Sequence, residues 1–356
     1  MTEMTERITI NAHYPASERV CPVILGNGVL RDAEKYMFPN GKNGRMLVVT
    51  DDGVPEQIPM TVCRAFGAEL FTLKQGEKSK SLDSFSRLIG KMLGLGFARE
   101  DCVCAVGGGV VGDLAGFAAA CYLRGIGFYY LPTTLLAQTD ASVGGKTAVD
   151  FGGFKNQIGA FYQPSAVLID PTLTASLSDR QFYAGLCEAI KMAVTFDEKL
   201  LELIEAQAEK GTLRSDADAL FGIVSGAVRI KTAVVEKDER EAGTRRALNF
   251  GHTLGHALES ASGGELLHGE AVALGMLPFC SEPVRERLRK LLSRCSLPTE
   301  IPPELEKRRG EIADALTHDK KRAGEGITAV FCDEAGSFRF EKITAEEIIE
   351  KKLSIL

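Results

Sequence analysis

The chain has 356 residues, 45% of them hydrophobic and 25% charged, with a formal net charge of -6. That length allows two domains with cores of their own, and the acidic balance argues against nucleic acid as the main partner. No apolar run reaches the length of a membrane span, and the start MTEMTERITINAH has no apolar segment of the secretory kind.

Strand patterns fall at residues 7–12, 46–51, 69–73, 102–106, 128–131 and 166–170, with helical patterns such as 82–95 and 112–123 between them. This alternation predicts an α/β domain with a mainly parallel sheet over residues 1–171. After Asp170-Pro171 the periodicity changes to helical runs at 179–194, 198–208, 213–235, 253–261, 269–289 and 304–316. A second, all-α domain is therefore expected over 172–356, apart from a short strand pair at 327–332 and 337–341. The nine cysteines are scattered and odd in number, which suggests reduced thiols in a cytoplasm. Cys102 and Cys104 lie inside an apolar strand pattern and read as core.

The strand at 102–106 runs into Gly107-Gly108-Gly109-Val110-Val111-Gly112-Asp113 and then an apolar helix. Glycines there let a backbone approach a phosphate, and the helix N-terminus favours its charge. The run fits the dinucleotide fingerprint in its strand–turn–helix setting, but the acidic residue usual about 20 positions on is missing. Pro132-Thr133-Thr134 stands there instead, and Asp51-Asp52, ending an earlier strand, offers carboxylates for a ribose. A purely structural glycine turn is the alternative. Asp140 to Thr147 invites a phosphate-loop reading that fails, because the first required glycine would fall at Asp140. Lys146 in that glycine-rich loop still suits a phosphate or a sugar hydroxyl.

Three of the five histidines, His252, His256 and His268, fall in one window. His252 and His256 share a helix face. The stretch lacks the glutamate of a zinc-peptidase helix. Glu188, in an otherwise apolar stretch, would complete a Glu/His/His set with an open position, the pattern of a catalytic zinc site. Alternatively Glu188 pairs with Lys191, and the histidines are surface residues.

The ordered motifs GGGVVGD, LPTTLLAQTDASVGGKT, CEAIK, RRALNFGHTLGHALE and LLHGEAVALGM resemble the 3-dehydroquinate synthase family over roughly residues 75 to 280. The resemblance implies an NAD- and metal-dependent lyase of the shikimate pathway. It implies Glu188, His252 and His268 as ligands of Zn²⁺ or Co²⁺. It implies an NAD site at Glu77, Lys80, Gly107, Gly108, Gly109, Val110, Asp113, Thr133, Thr134, Asp140, Lys146, Lys155, Leu173 and Ser176, with Asp51 nearby. Substrate is implied at Asp140, Lys146, Asn156, Lys191, Lys231, Arg245, Asn249, His256, His268 and Lys320 (or Lys321). Of these, Lys146, Lys191, Arg245, Asn249 and His256 are the implied catalytic group. Arg124 is implied to cross a two-fold interface of a homodimer to the partner's phosphate site; its alternative is an arginine facing a helix C-terminus. The alternative for Arg245 is a pairing with Glu241.

The implied substrate is 3-deoxy-arabino-heptulosonate 7-phosphate, a small sugar phosphate acid. Transient oxidation at C5, β-elimination of phosphate, reduction, ring opening and an internal aldol would yield 3-dehydroquinate. CEAIK and a short segment after Gly275 depart from the family pattern without removing a matched polar residue. Rival readings are a polyol dehydrogenase of the glycerol dehydrogenase type, another sugar phosphate cyclase, and a non-catalytic protein that kept the fold.

Overall fold

The structure is a computed structural model that describes residues 5–14, 17–38, 44–323 and 326–356, with side chains over 20–38, 44–316 and 326–356. The chain divides into two compact units, Met1–Ser176 and Leu177–Leu356. The division falls after Ser176 rather than at Pro171 because the turn Pro171–Ser176 still serves the first unit: Leu173 packs against its core.

Unit one runs β1 (Thr5–Tyr14), β2 (Ser17–Gly26), α1 (Ala33–Met37), β3 (Met46–Asp51), α2 (Gln57–Phe66), β4 (Glu69–Leu73), α3 (Leu82–Gly94), β5 (Cys102–Gly107), α4 (Gly109–Cys121), β6 (Gly127–Pro132), β7 (Lys146–Phe151), β8 (Phe154–Phe161) and β9 (Ala166–Ile169). Seven strands form one sheet in the order β1-β2-β9-β6-β5-β3-β4. Only β1–β2 is antiparallel within it. β5 and β9 are buried at every residue, so their continuous apolar runs match a sheet covered on both faces. One face takes α1 and α2 through Ala33, Met37, Ile58, Val62, Cys63 and Phe66, packed with Cys102, Cys104 and Val106. α4 covers the other and is apolar almost all round because it is buried all round. All nine cysteines are free thiols, and burial raises Cys104 well above the ordinary thiol range, as a core residue requires.

β2, α1, α2 and the β7–β8 hairpin are additions to the sequence-based expectation. The hairpin turns through Gly152 and Gly153, with φ of 62° and 83°. Both are left-handed, as a two-residue turn between right-twisted strands demands. The helix expected from Gly112 begins earlier, at Gly109, so the glycine run forms its first turn.

Unit two runs α5 (Asp179–Phe196), α6 (Glu198–Lys210), α7 (Ala217–Lys237), α8 (His252–Ser262), α9 (His268–Met276), α10 (Glu282–Arg294), α11 (Pro303–Glu306), α12 (Arg309–Ala323), then β10 (Ile327–Phe331) and β11 (Arg339–Ile343), paired antiparallel. It is helical, with this small sheet added. Ser178 opens α5 with a reciprocal capping box to Gln181, and Asp197 and Asp216 cap α6 and α7. The run expected as one helix over 269–289 is two. Pro278 sits in a short 3-10 turn after α9, and Pro283 enters the first turn of α10, where a missing N–H costs nothing.

Helices α5, α8 and α9 meet where side chains are absent. A Cβ on Gly269 would fall on the carbonyl oxygen of Ala184, and one on Gly275 would fall on the carbonyl of Gly251. Backbone cannot yield as a flexible side chain can. By contrast, Gly90 lies within α3 with open space around it. Gly269→Ala is therefore expected to lower unfolding free energy by about 1–3 kcal/mol, while Gly90→Ala raises it by about 0.5–1 kcal/mol. Urea unfolding of the two variants against wild type checks both signs.

Candidate active site

In unit one the candidate residues collect at the C-terminal ends of neighbouring parallel strands. Asp51 ends β3, the turn Gly107–Gly109 ends β5, Thr133 and Thr134 follow β6, and Leu173 and Ser176 follow β9. The chain leaves β3 toward β4 on one side, and β5 leads to β6 on the other, so the glycine turn sits at the point where strand order reverses. Open α/β sheets bind ligands there. β3 and β5 are neighbours in parallel register, Val49 opposite Ala105, which brings Asp51 beside the glycine turn. Burial, reinforced by the charge of Asp52, pushes the Asp51 carboxyl up despite its hydrogen bond from the Gly53 amide. Gly108 is the N-cap of α4 and has no side chain to bond the first amides. Tyr130 pins this turn, donating its hydroxyl to the Gly108 carbonyl at 2.8 Å. A Cβ on Gly112 would strike the Tyr130 ring, which is why the fingerprint's third glycine is needed.

Around the turn stands a small charged set. Lys80 is buried and its ammonium lies 2.5 Å from Asp113 on α4. It also donates to the side-chain oxygen of Asn156. Asn156 holds a left-handed φ of 57°, fixed by its N–H bond to Asp150 at 2.8 Å. Lys155 faces Glu77 at 3.8 Å. Lys80 thus joins residues matched to cofactor and to substrate. Asp140 lies in a π-helical turn, Ala137–Ala141, and Lys146 opens β7 after the left-handed Gly144 and Gly145. Arg124 is exposed in a short turn where Leu123, Arg124 and Gly125 have successive φ of 49°, 69° and 122°.

In unit two the structure brings Glu188, His252, His256 and His268 together. Ligand atoms of the three histidines lie within 4.8 Å of one another, and their ring centroids are 5.1 to 5.6 Å apart. Glu188, fully buried on α5, points Oε1 at His268 Nε2 (3.4 Å) and His252 Nε2 (3.8 Å). Its Oε2 lies 2.5 Å from the ammonium of Lys191, so the ion pair and the metal-type set exist together. Neither Glu188 oxygen has a hydrogen bond. Burial would protonate Glu188, but Lys191, His252 and His268 outweigh it and hold the carboxyl well below its usual range. Burial, helped by Lys191, keeps His252 neutral, and its Nδ1 faces the Phe250 carbonyl at 3.1 Å. His268 resists its burial because the carboxylates of Glu188 and Glu259 stand against its two ring nitrogens, and it is raised to about 10. Two anionic or neutral donors converge with a histidine on one point, beside an orphaned carboxylate oxygen; this donor set fits a divalent cation.

Glu259 escaped the sequence reading. It accepts from His268 Nδ1 at 3.1 Å, and it lies seven residues after His252 on the helix face shared with His256. Lys231 is buried in α7, and Arg245 is buried in the 3-10 turn Thr244–Asn249 that packs on α7 and α5. The Arg245 guanidinium donates to the Glu239 carbonyl, and it is the exposed Asn249 that bonds Glu241. Lys320 and Lys321 belong to the backbone of α12, and their side chains lie outside the described residues.

Residues 70–184 match the family description "3-dehydroquinate synthase N-terminal" and residues 185–322 match "3-dehydroquinate synthase C-terminal". The chain belongs to the 3-dehydroquinate synthase family. The 3-dehydroquinate synthase of Pelobacter propionicus is 42% identical over 92% of this chain and 94% of its own. That of Desulforamulus reducens is 42% identical over 85% of this chain and 88% of its own. Among solved structures, a 2-deoxy-scyllo-inosose synthase complexed with carbaglucose-6-phosphate, NAD⁺ and Co²⁺ superposes with a TM-score of 0.87, at 26% identity over 99% of this chain and 100% of that one. The 2-epi-5-epi-valiolone synthase of Streptomyces hygroscopicus, with NAD⁺ and Zn²⁺ bound, gives 0.84 at 26% identity over 97% and 98%. A probable glycerol dehydrogenase from Sinorhizobium meliloti shares the fold at 0.64 and 17% identity, covering 92% of this chain and 94% of its own.

The geometry around His268 makes a first functional prediction. Glu259→Gln removes the carboxylate that orients the ring, so Zn²⁺ affinity is expected to fall about 10–100-fold. Competition with a chromophoric chelator measures it, and an unchanged affinity would deny Glu259 this role.

Proposed function

We propose that this chain converts 3-deoxy-arabino-heptulosonate 7-phosphate to 3-dehydroquinate and phosphate, using catalytic NAD and one divalent cation, Zn²⁺ or Co²⁺. The observation that carries the reading is the buried, ionised Glu188 with an oxygen turned to His252 and His268, in a chain of this family. NAD⁺ with Co²⁺ or Zn²⁺ in the two cyclase structures supports it. Glu188, His252 and His268 would hold the cation, leaving His256 on the exposed side. When bound, NAD would supply a reversible hydride acceptor and the cation Lewis acidity.

The chain's own residues do the rest. The Gly107–Val110 backbone at the start of α4 receives a pyrophosphate without a side chain in the way. Asp113, Lys80, Thr133, Thr134, Glu77 and Lys155 flank it, with Asp51 on the ribose side, and Leu173 and Ser176 past β9. The anionic substrate calls for fixed cations: Lys191, Lys231 and Arg245 are all buried, and in unit one Lys146 opens β7, with Asp140 in the turn before it and Asn156 on β8 also assigned to the substrate. Arg245 takes the carboxylate through two parallel bonds, with Asn249 beside it. His256, beside the cation ligands, is the group that would move a proton. A cytoplasmic enzyme accords with nine cysteines outside any disulfide.

The rival dehydrogenase reading differs in its products. Incubation with the heptulosonate phosphate and sub-stoichiometric NAD should release phosphate over many turnovers with no net rise in NADH absorbance. NADH accumulating in step with substrate would make this chain a dehydrogenase instead.

The homodimer reading rests on Arg124. Two successive left-handed residues that are not glycine cost about 1–3 kcal/mol each and persist only where something requires them. Here they turn an exposed arginine outward. Mixing inactive Arg124→Ala and Lys146→Ala chains should restore activity in heterodimers, which carry one intact site. Verified subunit exchange with no recovered activity would confine Arg124 to its own subunit.

A further inference from the structure

We infer that Arg180 and Glu270 act as a positioning clamp for the metal centre, one guanidinium holding together the three segments that carry its ligands. The inference deepens the metal reading above and rests on it.

Arg180 is rooted in the first turn of α5, the helix that carries Glu188. Its Nε and Nη2 donate to the two oxygens of Glu270 at 2.6 and 2.7 Å, a bidentate fork. Glu270 is in the first turn of α9, whose first residue is His268. The same Nη2 donates to the Glu265 carbonyl at 2.5 Å, in the loop that leaves α8 with its His252, His256 and Glu259. Glu270 also accepts the Leu267 N–H at 2.8 Å, which fixes where α9 starts. Because His268 is the first residue of that helix, a shift of the start moves the ligand itself. The Gly269–Ala184 contact fixes the distance between α5 and α9, and the fork fixes the rotation about that contact.

A simple stabilising salt bridge would behave differently. The Arg180 side chain is 57% exposed, so solvent screening leaves the pair a modest part in stability. Its geometry is nonetheless fully committed, three bonds to two segments. Arg180, Glu265, Leu266 and Glu270 line a cavity of about 560 Å³, so truncation at 180 opens into existing space and forces no repacking. The clamp should therefore show in ligand geometry much more than in melting temperature.

The test uses the full-length, metal-free chain titrated with Co²⁺, read by chelator competition and by the visible absorption of the bound ion. Arg180→Ala and Glu270→Gln should each weaken Co²⁺ binding about 10–100-fold and alter the visible bands, while melting temperature falls by only a few degrees. Arg180→Lys, which keeps the charge but not the fork, should recover part of the affinity. The double variant should bind no more weakly than the worse single one, because both remove the same link. Affinities within twofold of wild type and unchanged bands in Arg180→Ala and Glu270→Gln would overturn the clamp and leave the metal centre standing. A wild-type chain that takes up no Co²⁺ would overturn the metal centre and the clamp together. If Arg180→Ala does not fold, Glu270→Gln and Arg180→Lys decide the matter by the same two readings.

Discussion

A carboxylate sealed inside a helix bundle, ionised and without a hydrogen bond, is the constraint around which unit two is arranged. Taking such a charge out of water costs several kcal/mol unless positive charge stands beside it. Lys191 supplies one neighbour, 2.5 Å from Oε2. The other oxygen faces two histidines, one of them held neutral by burial. The neutral ring of His252 offsets nothing, so His268, raised to about 10, carries the second positive charge. On the metal reading proposed above, a bound cation would take the place of that proton on His268.

Unit one solves the opposite problem. The guest proposed for it is an anion, and it offers backbone amides at a helix start, glycines where a side chain would intrude, and a tyrosine hydroxyl that ties the turn down. Lys80 is shared between Asp113 and Asn156, which keeps a buried ammonium paired while placing three polar groups at one edge of the turn. The two units use different physics, dipoles and shape in one, buried charge in the other.

Much of this was readable in the residues. β3 and β4 fall on the expected positions because their apolar runs are short and bounded by turn residues. The histidine window and Glu188 were legible because polar residues inside apolar helical runs stand out. The β7–β8 hairpin was not, since Lys146 to Phe161 is punctuated by glycines and polar residues and exposes most of β8, so no buried stripe marks it. Two helices read as one over 269–289 because hydrophobic periodicity continues across Pro278 and Pro283. Glu259 and Tyr130 were missed for a shared reason: each acts on another group's orientation, and that depends on which elements the fold brings into contact.

The glycine crossings also bear on how such a site can change. The spacing of its donors is set by methyl groups that are missing, at Gly269 against Ala184 and Gly275 against Gly251. Exchanging one ligand for another leaves that spacing alone. A lineage adapting to an ion of different radius would therefore meet its barrier at residues that never touch the ion. Each single step there thickens a helix contact before any new donor can arrive, so drift at the ligands is cheap and drift at the crossings is blocked.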